Sequence, residues 1–432
     1  MARLLAVKML DKTFSNDGFS NIVVDKALSS SELSPQDKKL CSIIYYGVLE
    51  RKITLDYIIS KYSKKPLNKL DTSVLNILRS GIYQILYLES IPDNASVNES
   101  VKLAKKLKVS SASGFINAVL RNFIRDGKSY PLPKDMTKGT SIKYSVPEWL
   151  VDRLLKEYPK DVATNILETS VQKAPTFFRV NNALCSDIEC IQSLGLNCQK
   201  VERLEHCYEL LNGDITSTDA FKNGFLHVQD ISSQMCCMAL NPQPNDVVLD
   251  ICSAPGGKTF TIAETMNNFG KVYAFDLHEN RVRLISNGAK RLHLTNVISQ
   301  VGDGSKFNDA LPLADKVLCD VPCSGLGVIR RKPEIKYKNP KDFINLPNIQ
   351  YKILETSSRY LKVGGELIYS TCTLNRAEND DVIDRFLKEN PNFVGVSYLE
   401  NLGEPFGTYK TTLCPKYFNG DGFFISKIRR VK

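Results

Sequence analysis

Along the first 128 positions or so, apolar residues recur at helical spacing. The run Ser73-Val-Leu-Asn-Ile-Leu-Arg-Ser-Gly-Ile-Tyr-Gln-Ile-Leu-Tyr87 shows that period and none of the alternation a half-buried strand requires. Ser96 followed by Glu99 spells a capping box and predicts a helix start at that point. Val97, Val101, Ala104 and Leu107 then share one face, with Lys102, Lys105 and Lys106 off it. A further helix runs through Phe115, Val119 and Phe123. From about Gly127 to Ser145, two prolines, two glycines and several charges predict a linker. A second segment opens at Pro147-Glu-Trp-Leu150 and reaches about Ile231, mixing a helical start with strand-like pieces such as Phe177-Phe-Arg-Val180. From about Ser232 the pattern changes again. Val247-Val-Leu249, Val272-Tyr-Ala-Phe275, Val297-Ile298, Val317-Leu318 and Glu366-Leu-Ile-Tyr369 are short apolar strands, most of them separated by helical stretches. That alternation predicts a doubly wound parallel sheet.

Length supports several domains, since 432 residues exceed what one compact core takes up. With 43% apolar and 24% charged residues the composition is that of an ordinary globular protein. No apolar run approaches the roughly 18 residues of a membrane helix, and Met1–Leu10 lacks a small-residue cleavage site, so a cytoplasmic protein without membrane partners is expected. The 12 cysteines form no Cys-x-x-Cys pair, and the four histidines are scattered, so no metal site is expected. Any one cysteine is by default a buried apolar group, unless its setting is special. Net charge is +10, and residues 1–130 hold 20 Lys and Arg against 12 Asp and Glu. A basic first third suits a polyanion such as a nucleic acid, although a solvated Lys-rich helical surface explains the charge equally well.

The candidate chemistry lies after the strands, where open parallel sheets bind ligands. Asp250-Ile-Cys-Ser-Ala-Pro-Gly-Gly-Lys-Thr259 is a tight small-residue loop entering a helix, with its glycines spaced wrongly for a phosphate loop. Asp276 follows the second strand, where an acid would meet ribose hydroxyls. Gly302-Asp303-Gly304 follows the third, Asp320-Val-Pro-Cys-Ser-Gly325 the fourth, and Ser370-Thr-Cys-Thr373 the fifth. Each piece alone is explained by a turn or a helix cap; their joint occurrence is not.

These motifs resemble the class I, Rossmann-like S-adenosylmethionine methyltransferases that make 5-methylcytosine in RNA. The resemblance rests on Cys252-Ser-Ala-Pro-Gly-Gly-Lys258, on Asp320-Val-Pro-Cys-Ser-Gly325 with Gly327-Val-Ile-Arg-Arg331, on Thr371-Cys-Thr-Leu374 with Glu378-Asn379, and on Asp421-Gly-Phe-Phe424. Pro92, Val97-Asn-Glu-Ser-Val-Lys-Leu-Ala-Lys105 and Phe115-Ile-Asn-Ala-Val-Leu120 are similar to the NusB RNA-binding fold. The two together resemble the RsmB (Sun) family, which modifies small-subunit ribosomal RNA, and Pro147–Leu150 with Arg179-Val-Asn181 resembles its connecting domain. Ser253, Val321, Leu326, Thr373 and Asp380 depart from the residues usual in that family without removing a cysteine, an acid or a required glycine.

The resemblance implies a multidomain chain. It would comprise an all-α NusB-like RNA-binding domain over 1–130, a small α+β connecting domain over 145–231, and an α/β methyltransferase domain over 232–432. It assigns Cys372 as the nucleophile, Cys323 to the release of product, and Asp320 to the base edge. S-adenosylmethionine is the implied cofactor, held by Cys252, Ser253, Ala254, Pro255, Gly256, Gly257 and Lys258, with Asp276 at its ribose, Asp303 at its adenine side, and Asp320 beside it. The implied partner is small-subunit rRNA presenting an unpaired or flipped cytosine, with Arg330, Arg331 and Lys332 as phosphate contacts or a solvated turn, and the protein a monomer. A tRNA target and a catalytically silent assembly factor are the rival readings. A DNA target is disfavoured, because DNA enzymes of this chemistry carry the nucleophile in a Pro-Cys motif.

Overall fold

The computed structural model describes residues 1–16 and 20–432. They divide into two compact units, Met1–Gln172 with Ile329–Lys338, and Lys173–Val328 with Asn339–Lys432.

The first unit is helical. Ala2–Asn16, Pro35–Tyr62, Thr72–Tyr87, Asp93–Lys106 and Ser113–Arg125 bury one face each, and Leu10, Ile44, Tyr45, Leu49, Ile58, Ile77, Leu120 and Phe123 form a closed core. Local chemistry starts these helices. The Ser34 hydroxyl accepts from the Asp37 N–H with Pro35 next to it, and the Asp71 carboxylate accepts from Ser73 and Val74 N–H. The capping box expected at Ser96 is not formed. Pro92 ends the preceding chain in an extended conformation, its carbonyl takes the N–H groups of Ala95 and Ser96, and the helix therefore begins at Asp93 with Ser96 buried inside it. Val97 and Ala104 are fully buried, as their spacing predicts, and Val101 is half-buried beside them.

The expected linker from Gly127 to Ser145 contains a helix, Met136–Tyr144. Asp135 caps it through the Lys138 N–H at 2.7 Å, and Ile142 turns inward at 4% exposure. Its apolar content is low, so tertiary burial rather than sequence period selects the helix. Glu148–Glu157 and Lys160–Thr169 follow. The segment Ile329–Lys338 completes the unit. Ile335 is buried, the Lys336 ammonium donates to the Glu50 carbonyl at 2.9 Å, the Tyr337 hydroxyl donates to the Leu49 carbonyl at 2.7 Å, and the Arg330 guanidinium donates to the Gln172 carbonyl at 3.2 Å.

The second unit holds two sheets. β1 (Thr176–Val180), β2 (Cys198–Lys200), β3 (Cys207–Leu210) and β4 (Leu226–Val228) form an antiparallel sheet in the order β2-β3-β1-β4. The helix Asp187–Leu194 opens on a complete Ser186/Glu189 capping box, and Phe178, Val180, Cys190 and Leu226 fill the space beneath. The larger sheet contains β5 (Val247–Asp250), β6 (Lys271–Asp276), β7 (Val297–Val301), β8 (Ala314–Asp320), β9 (Leu361–Thr371), β10 (Phe393–Gly395), β11 (Lys410–Leu413) and β12 (Phe423–Arg430). Its order is β10-β12-β9-β8-β5-β6-β7, with β11 also on β12.

Five neighbours, β9-β8-β5-β6-β7, run parallel as the alternating pattern predicts; β12 runs antiparallel to β9, so the sheet is mixed. Parallel strands covered on both faces read as continuous apolar runs, and Leu249, Ala274, Val317, Leu318, Leu367 and Ile368 are buried accordingly. The strand order reverses between β5 and β8. A crevice opens at such a point, beyond the carboxyl ends of the strands.

Candidate active site

The loop after β5 is built to let a ligand approach its backbone. Asp250 closes the strand, its carboxylate accepting from the Thr259 hydroxyl at 2.6 Å, and the Ser253 hydroxyl donates to the Asp250 carbonyl at 2.7 Å. Gly256 sits at φ +112°, and a Cβ there would strike the Phe260 ring, so only glycine serves. Helix Gly257–Thr265 starts immediately afterwards and aims its free N–H groups at the loop. Burial raises the Asp250 carboxyl to about 7, the Thr259 hydroxyl opposing the shift. Burial also pushes the Cys252 thiol well above its ordinary range.

Cys252, Ser253, Ala254, Pro255, Gly257, Lys258 and Asp320 line one hollow of about 200 Å³, together with Gln229, Asp230 and Ser233. Within it the Lys258 ammonium meets the Asp320 carboxylate at 2.7 Å, and the Ser370 hydroxyl holds the other carboxylate oxygen at 2.8 Å. Burial pulls the Lys258 ammonium down, but the attraction and hydrogen bond of Asp320, with the neighbouring thiols, outweigh it and hold the ammonium above its usual range. A fixed ion pair at the end of β8 is therefore aimed into the crevice.

Asp303 lines a second hollow of about 190 Å³ with Gly302, Gly304, Ile251, Phe275, Phe307 and Tyr360. Hydrogen bonds from the Ser305 hydroxyl and N–H, at 2.6 and 3.0 Å, hold its carboxyl below the usual range. Phe307 stacks on Tyr360 at 4.6 Å between centroids, with the Arg359 guanidinium 3.8 Å from the Phe307 ring centre. Such a mostly apolar hollow, lined by aromatic rings and one acid, suits a planar heterocycle.

Asp276 ends β6 at 4% exposure and lines neither hollow. The Arg281 guanidinium meets it at 3.1 Å and also donates to the Ala254 carbonyl at 2.7 Å, tying the acid to the loop after β5. Sequence reading missed Arg281. A cation in the first turns of the helix following an acid was the available signal.

The two motif cysteines come together. Cys323, after β8, and Cys372, after β9, lie with their sulfurs 3.3 Å apart, although 49 residues separate them in the chain. The contact with Cys372, followed by burial, keeps the Cys323 thiol protonated well above its ordinary range. Either sulfur can act as donor in this contact, so the geometry sets the two thiols as one hydrogen-bonded pair. Gly327, in the loop after Cys323, donates its N–H to the Cys372 carbonyl at 3.0 Å, and a Cβ there would collide with the Gly422 carbonyl. Among the described residues no group of three or more His, Cys, Asp or Glu side chains could hold a metal ion, and no helix is long and apolar enough to cross a membrane.

Residues 237–429 match the family described as 16S rRNA methyltransferase RsmB/F, residues 1–125 match the NusB family, and residues 146–212 match the ferredoxin-like domain of RsmF/B-like methyltransferases. A probable ribosomal RNA small subunit methyltransferase B of Bacillus subtilis (strain 168) is 37% identical, the alignment covering 99% of this chain and 98% of that protein. A ribosomal RNA small subunit methyltransferase B of Escherichia coli O127:H6 is 32% identical over 92% of this chain and 91% of that one. The crystal structure of PH0851 has the same fold, with a TM-score of 0.83 at 23% identity over 100% of this chain and 99% of that one. A methyltransferase homologue from Pyrococcus horikoshii is 30% identical, with a TM-score of 0.61 over 69% of this chain and all of that one. Full-length similarity of this degree, joined to the motif geometry, establishes that the chain belongs to the RsmB/F family of 16S rRNA methyltransferases.

Proposed function

We propose that this enzyme transfers a methyl group from S-adenosylmethionine to carbon 5 of a cytosine in small-subunit rRNA, through a covalent bond between Cys372 and the base. The observation that carries the reading is the Cys323–Cys372 sulfur pair, held at the same end of the sheet as the Lys258–Asp320 ion pair. Carbon 5 of cytosine is a weak nucleophile. A thiolate added to carbon 6 loads carbon 5 with electron density and splits one hard step into easier ones.

The hollow of the loop after β5 and the hollow beside Asp303 fit the two ends of the cofactor, Cys252–Lys258 at the methionine and sugar and Asp303 with Phe307 toward the adenine. Asp276, which lines neither, reaches the ribose only if its carboxylate turns from Arg281. When bound, the cofactor supplies the electrophilic methyl. The protein does the rest. Cys372 forms the bond to carbon 6, and Asp320, oriented by Lys258 and Ser370, hydrogen-bonds the base edge. After methylation a base (solvent or the Cys323 sulfur as thiolate) takes the carbon 5 proton, and the electron pair of that bond forms the carbon 5–carbon 6 double bond. The carbon 6–sulfur pair leaves with Cys372 as its thiolate, restoring the aromatic ring. Cys323 assists that second half. The cytosine must be unpaired or flipped to reach the crevice.

The test is transfer of labelled methyl to small-subunit rRNA lacking its modifications, by the wild type, Cys372→Ala and Cys323→Ala. The expected pattern is label at carbon 5 of one cytosine, none with Cys372→Ala, and RNA covalently retained by Cys323→Ala. Label at any other atom, or undiminished transfer by Cys372→Ala, refutes the proposal.

A further inference from the structure

Behind the two cysteines lies a buried polar network outside the chemistry described so far. Its members come from the turn Arg376–Glu378, from Asn379 just after it, and from the helix Leu346–Ser358. Glu378 and Asn379 are both fully buried, and so is Gln350. A buried carboxylate and two buried amides are costly unless their polar atoms find partners, and those of Glu378 and Asn379 do, while the Gln350 amide oxygen does not.

One arm of the network holds Cys323. The Glu378 carboxylate accepts from the Ser324 N–H at 2.9 Å and from the Gln350 amide at 2.9 Å, while that same amide donates to the Pro322 carbonyl at 3.0 Å. The peptide groups on both sides of Cys323 are thus fixed by one Glu–Gln pair. The second arm holds Cys372. Asn379 accepts from the Thr371 hydroxyl at 2.6 Å and donates its amide to the Thr373 carbonyl at 2.9 Å, so it grips the residues on both sides of that cysteine. The arms join where the Ser324 and Thr373 hydroxyls meet at 2.7 Å. Consecutive residues, 378 and 379, therefore hold loops that start from different strands.

We infer that Glu378 with Gln350, and Asn379, are positioning residues with separate tasks, the first pair aligning Cys323 for release of methylated product and the second aligning Cys372 for attack. The inference rests on the cysteine roles proposed above. It follows from geometry that the arms fail differently. Glu378→Gln sets an amide N–H among the donors of Ser324 and Gln350 and so frees the Cys323 loop, while its third donor, Asn375, belongs to the loop after Cys372, which Asn379 still grips. Asn379→Ala frees the Cys372 loop instead.

The experiment measures covalent RNA–protein adduct over time on denaturing gels, for the full chain with labelled small-subunit rRNA and S-adenosylmethionine. Glu378→Gln and Gln350→Leu are expected to accumulate adduct, clearing it about tenfold or more slowly than wild type while forming it at nearly the normal rate. Asn379→Ala is expected to form adduct about tenfold or more slowly and never accumulate it. Binding of labelled S-adenosylmethionine should be unchanged in all three, whereas a merely structural role would lower it. Gln350→Leu carries the first arm alone if Glu378→Gln does not fold. Identical slowing of both steps in all variants, or clearance at the wild-type rate by Gln350→Leu, overturns the two-arm inference. A failure of Cys323→Ala to retain RNA in the same gels overturns the cysteine assignment beneath it.

Discussion

The Lys258–Asp320 pair lends itself to a double-mutant cycle. The two side chains are 13% and 26% exposed and meet at 2.7 Å, with Phe423 beneath the ammonium at 4.9 Å. At that separation the gross attraction is about 6 kcal/mol in a medium of effective dielectric near 20. Desolvation of both charges cancels much of it, and truncating one partner of a well-buried pair costs about 3–5 kcal/mol because the other is stranded. Partial exposure here lowers the expectation to about 2–3 kcal/mol for Lys258→Met, since Asp320 keeps the Ser370 hydroxyl and some water. Asp320→Leu strands an ammonium and should cost a similar amount, while the double variant strands nothing. Because the double variant should cost no more than one single variant, the coupling energy is expected to be at least about 2 kcal/mol, read from calorimetric unfolding of the full chain in low salt. A coupling below about 0.5 kcal/mol, typical of solvated surface pairs, would refute the picture of a fixed pair aimed into the crevice.

Two further outcomes follow from the same loop. The folded-state carboxyl of Asp250, at about 7, lies above its ordinary 3.8, so the folded chain holds a proton that the unfolded chain releases. The stability from this group is complete below pH 4 and disappears as pH rises through 7, a fall of at most about 4 kcal/mol at 1.36 kcal/mol per unit. Asp250→Asn, which retains an acceptor for Thr259, should flatten the decline measured by calorimetry between pH 5 and 8; an unchanged slope would assign it to other groups. Gly256→Ala must adopt φ +112° and displace the Phe260 ring, so a loss of about 2 kcal/mol and much weaker S-adenosylmethionine binding are expected by titration. Wild-type affinity would mean that the loop relaxes without cost.

Much of the chain was legible without coordinates, because its signals are local. The five parallel strands read as short apolar runs, and the loop from Asp250 to Thr259 announced itself through adjacent glycines, the first of which, Gly256, leaves no room for a side chain. The helix Met136–Tyr144 was not legible. Prolines and charges before it imitate a linker, and only Asp135 signals a start. Ser96 misled in the opposite way, since its spacing to Glu99 mimics a cap while Pro92 had already set the boundary.

The sequence by itself determined which chemical groups stand at the strand ends: Asp250, Asp276, Asp303, Asp320, and the cysteines 323 and 372, in motifs whose order specifies a family. Only the tertiary structure decided which of these meet. It set Lys258 on Asp320, Arg281 on Asp276 and Cys323 on Cys372, and gave Glu378 and Asn379 their partners around both cysteines. The physical reason is range. Strand and turn preferences act over a few residues. Apart from Arg281 with Asp276 and Asn379 with Thr371, each of these pairings joins strand ends or loops tens of residues apart. Sheet order alone brings those within hydrogen-bond distance.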